Sequence, residues 1–119
     1  MNFLDAELVE EGGVLSAKGQ GFAIPLSEAR KAQLQAHKDR SIHLGIRPSS
    51  FVEDTGGFNM PIILSEYIGA QSILISELGA QRVAIEVNTV APIKSGETRQ
   101  FTVQGDEVHF FDPKTEAAL

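Results

Sequence analysis

Residues 41–51 read Ser-Ile-His-Leu-Gly-Ile-Arg-Pro-Ser-Ser-Phe, an alternating strand that runs directly into an Arg-Pro pair. Side chains alternate across a strand, so Ile42, Leu44 and Ile46 share one face while His43, Gly45 and Arg47 take the other. Pro48 has no N–H to give a ladder and holds Arg47 extended, so the strand has to stop there. Ser49 is then placed to cap a short helical turn that returns Phe51 to the core.

The rest of the chain keeps a strand rhythm. Residues 2–10 alternate, with Leu4, Ala6 and Leu8 forming the better core face. Turn signals at Glu11-Gly12-Gly13 and Lys18-Gly19-Gln20-Gly21 bracket Val14, Leu15 and Ala17, and with residues 22–25 they predict a three-stranded meander. Ser27 is placed as the N-cap of a short surface helix over 28–37, whose apolar positions Ala29, Ala32, Leu34 and Ala36 make only a thin stripe. Beyond Phe51, residues 53–57 read as a polar loop, and the segment 58–67 carries Pro61, which predicts a start on a sheet edge or at a bulge. Segments 66–71, 72–77 and 82–90, with a turn at 78–81, predict a second meander. Residues 98–103 and 108–111 are the final strands, stopped by Asp112-Pro113. Short strands, frequent turns and one short helix define the expected class. It is an all-β, OB-like small barrel or sandwich of antiparallel strands, with residues 1–119 forming one domain.

Composition narrows the chemistry. The chain has 119 residues, no cysteine and a formal charge of −6. It therefore has no disulfide, thiol nucleophile or zinc-thiolate site, and a negative surface repels phosphate backbones. One Tyr and no Trp leave few stacking platforms besides Phe, so no nucleic-acid partner is expected. Its glycines invite a phosphate-cradle reading, but neither G-x-x-x-x-G-K-[ST] nor G-x-G-x-x-G occurs. His37, His43 and His109 show no metal-ligand spacing, and no Ser-His-Asp or Cys-His set can be assembled. No catalytic residue, metal ligand or cofactor is expected.

Leu44-Gly45-Ile46-Arg47-Pro48 resembles the Gly-Ile-Arg-Pro-Glu core of the regulatory domain, often called TOBE, in the ATPase subunits of carbohydrate-type ABC importers, the maltose and glycerol-3-phosphate transporter group. Three further elements resemble that family in order. Met1-Asn2-Phe3 is similar to its entry element, Glu66-Tyr67-Ile68-Gly69 to its Glu-x-Leu-Gly turn, and His109-Phe110-Phe111-Asp112 to its His-Leu-Phe-Asp ending. Ser49 departs from the pattern, standing where the family usually has Glu.

The resemblance implies a non-catalytic cytoplasmic domain, peripheral at the inner face of the membrane, that pairs as a homodimer. It implies membrane subunits reached through a nucleotide-binding domain absent from these residues, and a regulatory protein as a further partner. The competing expectation is an OB-like domain that binds a small ligand, an oxyanion or a solute. Arg47, Pro48, Glu66, His109 and Phe111 are the candidate regulatory or interface residues. Arg47 is expected either to pair internally with Glu66 or Asp112 or to face a partner. His109 is expected to pack in the last strand and anchor a hydrogen bond, while alternation buries Phe101 and only one of Phe110 and Phe111.

Overall fold

Alternation builds the first sheet. The computed structural model describes residues 1–119, and in it β1 (Asn2–Glu11) buries Asn2, Leu4, Ala6 and Leu8 and turns Phe3, Asp5 and Glu7 outward, as its sequence predicts. Gly12 and Gly13, with φ of +58° and +82°, make the tight turn into β2 (Val14–Gly19), and β3 (Phe22–Pro25) completes the meander. β4 (Ser41–Ile46) pairs with the other edge of β1, Leu44 opposite Leu4, and β10 (His109–Phe111) adds beyond it. The resulting order is β10-β4-β1-β2-β3.

The helix is shorter than its sequence suggests. α1 (Glu28–Leu34) begins where expected, with Ser27 Oγ accepting from the Arg30 N–H at 3.3 Å, but residues Gln35–His37 tighten into a 3-10 turn. The chain has to re-enter the sheet there. Asp39, in the left-handed region at φ 64°, donates its N–H to the Leu8 carbonyl at 2.7 Å, and the Arg40 carbonyl accepts from the Leu8 N–H. Only Leu34 of the helix is buried, so it lies on the surface. It is tied down by charge: Glu10 accepts from Lys31 Nζ at 2.7 Å and Lys38 Nζ at 3.3 Å.

Four sequence expectations are corrected. The polar stretch 53–57 is not a loop but part of β5 (Phe51–Pro61), which bulges so that Glu53 and Phe58 both lie opposite Phe101 of β9 (Thr98–Val103). Polarity there reflects an exposed strand face, and Gly57 lets the Phe101 backbone come so close that any Cβ would overlap it. Phe58 does follow a bulge on a two-stranded sheet, as expected, but β5 stops at Pro61 and the expected single segment 58–67 divides at Ile62-Ile63 before β6 (Leu64–Ile68). Ser49 caps nothing: residues Pro48–Ser50 form a 3-10 turn closed by the Ser50 N–H on the Arg47 carbonyl, with no side-chain cap. Finally, the strand predicted to reach Val90 ends at Asn88, and Val90 is fully exposed.

β6, β7 (Gln71–Leu78) and β8 (Gln81–Asn88) form the second meander as a separate three-stranded sheet. Its inner face (Leu74, Leu78, Val83 and Ile85) packs with Leu4, Leu8, Ile42, Leu44, Ile46, Phe101 and Val103 in a single apolar core drawn from all three sheets. A side chain ties the first sheet to the three-stranded one. Asn2 bonds the Ala84 N–H and carbonyl on the free edge of β8, and also the Ile46 carbonyl. Residues 112–119 fold back along β10, with the Leu119 N–H on the Phe110 carbonyl and Ala118 bridged to Phe111. No helix is long and apolar enough to cross a membrane.

Candidate functional site

The register of β1, β4 and β10 lays two rows of side chains on the outer face of the first sheet: Phe3, Gly45 and His109 in one, Asp5, His43 and Phe111 in the next. Gly45 has no side chain of its own and lies buried beneath its neighbours. A Cβ there would stand 2.6 Å from Met1 Sδ and 2.9 Å from Phe111 Cε2, so the glycine creates the floor on which these side chains meet. The Phe3 and Phe111 rings are tilted by 59° with centroids 6.1 Å apart. With His43 and Glu116 they line a cleft of about 480 Å³. His43 Nε2 is 2.9 Å from Asp5 Oδ1, and Asp5 in turn is held by Gln81 of β8, whose Oε1 accepts the Asp5 N–H at 3.1 Å. Phe3 remains 60% exposed, an unusual exposure for a Phe on an otherwise polar surface.

The structure collects some of the predicted residues here. Phe111 is half-buried in the cleft wall and Phe110 is buried, as alternation requires. Arg47 and Pro48 leave β4 at the end of this face, opposite the start of β1. Of the two alternatives for Arg47, the internal ion pair is absent: Arg47 is exposed and forms no salt bridge with Glu66, Asp112 or any other acid. Asp112 is occupied locally. Its Oδ1 accepts the N–H groups of Thr115 at 3.0 Å and Lys114 at 2.8 Å, which hold its carboxyl below the usual range. His109 is exposed on β10 and anchors no side-chain hydrogen bond, contrary to expectation, because its neighbour across the ladder is Gly45.

Glu66 lies elsewhere, on the outer face of the three-stranded sheet, in one row with Ile73 and Glu86. The adjacent row is Leu64, Ile75 and Ala84, and Ile68 follows on β6. Leu64 and Ile68 are 58% and 52% exposed, so apolar residues face outward on this sheet, with Glu66 between Leu64 and Ile68 on β6 and Glu86 beside Ile73 on β8. Alternation in β7 and β8 pointed to this face, whereas Phe3, His43 and Glu116 had no sequence signal linking them, since they meet only through register and the returning tail.

Comparison with known proteins matches this architecture. Residues 1–51 fit the family model described as the MalK OB fold domain. The chain also overlays the cytoplasmic molybdate-binding protein ModG with a TM-score of 0.63, covering 94% of this chain and 96% of that one, at 12% identity, a likeness of fold. Together these show an OB-type fold, whose first 51 residues fit the MalK family model. Among individual proteins, the chain is 28% identical along its full length to the multiple sugar-binding transport ATP-binding protein MsmK of Streptococcus mutans. It is 27% identical over 95% of its length to the sn-glycerol-3-phosphate import ATP-binding protein UgpC of Paraburkholderia xenovorans. It spans about a third of those relatives, 33% and 32% of their lengths.

Proposed function

We propose that residues 1–119 act as a regulatory and pairing domain of an ABC importer's ATP-binding subunit that serves sugars or glycerol-3-phosphate-like solutes at the inner face of the membrane. The observation that carries this reading is the outward apolar stripe of Leu64, Ile68, Ile73 and Ile75. Leu64 and Ile68 are more than half exposed, and Ile73 and Ile75 are only half-buried. A two-fold contact between copies would cover it, with each partner presenting the same patch. Nucleotide chemistry and the membrane subunits would be reached through a nucleotide-binding domain, and these residues themselves would neither bind nor hydrolyse ATP. The face bearing Arg47, Pro48, His109 and Phe111 is the surface offered to a regulatory protein, and Glu66 lies within the pairing face, between Leu64 and Ile68. In the small-ligand alternative an oxyanion would occupy the domain; the relatives' names favour the importer reading, and the negative charge weighs against a general anion site.

Sedimentation equilibrium tests the pairing role. At about millimolar chain, where a contact of roughly −4 kcal/mol is half-populated, the expected result is a monomer–dimer equilibrium. Leu64→Glu should abolish it without lowering the thermal midpoint. A strictly monomeric chain at that concentration would remove the pairing role and leave regulator docking alone.

A further inference from the structure

The cleft between Phe3 and Phe111 has a composition that pairing does not use. Three of the four residues lining it present an electron-rich surface, and the fourth adds an acceptor in one tautomer. Two are phenyl rings set at 59° to one another, and an aromatic face carries the negative lobe of its quadrupole. The third is the Glu116 carboxylate, on a residue held at φ 61° by the turn in which its N–H donates to the Asp112 carbonyl at 2.8 Å. The fourth is His43, and when its Nε2 carries the proton and donates to Asp5 at 2.9 Å, Nδ1 is left as an acceptor. Neither Glu116 nor Asp5 has a lysine or arginine partner. A cleft of about 480 Å³ falls within the range of small-molecule sites.

We infer that this cleft binds a small organic cation, an alkylated ammonium group seated against the Phe3 and Phe111 rings with Glu116 as its counter-charge. Two properties of the cation meet two properties of the site. Its apolar methyl or methylene surface covers the exposed rings, and its charge is attracted by both the rings and the carboxylate. An inorganic anion finds no donor there, and a bare metal ion finds too few oxygen ligands, with no cluster of three ligating side chains anywhere in the chain. This inference is independent of the pairing role, since the cleft and the apolar stripe of β6 and β7 lie on different sheets.

Choline chloride is the probe, titrated into the ¹⁵N-labelled 119-residue chain and followed by amide shifts, with sodium chloride at matched ionic strength as the blank. The expected result is saturation at about millimolar choline, with the largest shifts at Phe3, His43, Phe111 and Glu116. The uncharged isostere 3,3-dimethylbutan-1-ol separates charge from shape and should bind at least about fivefold more weakly. Glu116→Gln, on an exposed residue outside the core, should weaken choline by a similar factor, and Phe111→Leu should do so while leaving the Glu116 dependence intact. Equal binding of the neutral isostere overturns the inference, as does a Glu116→Gln chain with unchanged affinity, or the absence of saturable shifts at these residues.

Discussion

The side-chain amide of Asn2 holds both backbone polar groups of Ala84: Nδ2 donates to its carbonyl and Oδ1 accepts its N–H, each at 2.8 Å. One asparagine thus does what a neighbouring strand would do, pairing the free edge of β8, while a third bond at 3.1 Å to the Ile46 carbonyl holds it to β4. The first sheet and the three-stranded sheet are joined at this point. Asn2→Ala should therefore cost about 2–3 kcal/mol, since it leaves buried or partly buried backbone groups without partners. Urea denaturation checks this, and Asn2→Asp should be no rescue, because a carboxylate can accept the Ala84 N–H but repels the two carbonyls.

Two glycines should respond differently to the same added methyl group. At Gly57 a Cβ would overlap the backbone oxygen, carbon and nitrogen of Phe101, so β5 and β9 have to separate. Gly57→Ala is expected to cost ~2 kcal/mol or more, in the range of overpacked cores. At Gly45 the obstructing atoms are the far ends of Met1 and Phe111, which can swing away. Gly45→Ala should be milder in thermal denaturation but should disturb the Phe3–Phe111 cleft.

Ser76 is buried on the inner face of β7 with no hydrogen-bond partner for its hydroxyl. Such an orphan carries a desolvation cost without a compensating bond. Ser76→Ala should leave the fold unchanged and raise stability by up to about 1 kcal/mol, measured as a higher urea midpoint. By contrast Ser72, whose hydroxyl lies 2.6 Å from that of Thr89, should lose stability on the same change.

Glu10 sets an acid limit on the helix anchor. Its bonds to Lys31 first, then Lys38 and Gln35, lower its pKa from 4.5 to about 2. Because the folded value is depressed, its stabilisation is fully present above pH 4.5 and is lost as pH falls through about 2, as the unfolded chain takes up the proton first. Wild type should thus lose more stability between pH 5 and about 2 than Glu10→Gln does, and salt should shrink the difference because these side chains meet solvent. Denaturation midpoints across that interval give the readout.

Much of the fold was legible because alternation is a local property. The even face of β1, the Ile42-Leu44-Ile46 face of β4, the two meanders and the burial of Phe110 beneath half-buried Phe111 all follow from period-two patterning read against turn residues. The polar run 53–57 misled for a related reason. Composition reports exposure, and an exposed strand face with glycines looks like a loop until Phe101 is seen opposite both ends of the bulge.

What the sequence by itself determined was which residues face inward, since a strand's side-chain directions depend only on its immediate neighbours. Which distant residues meet was decided by the tertiary structure. Arg47, expected either to pair with an acid or to face a partner, is exposed and unpaired, His109 was expected to be anchored and is free, and Asn2, unremarkable in sequence, ties the end of β1 to Ala84 of β8. The cleft of Phe3, His43, Phe111 and Glu116 draws on β1, β4, β10 and the returning tail. Its geometry exists only once the register between strands far apart in the chain is set, and that register is chosen by the packing of the whole core rather than by any one segment.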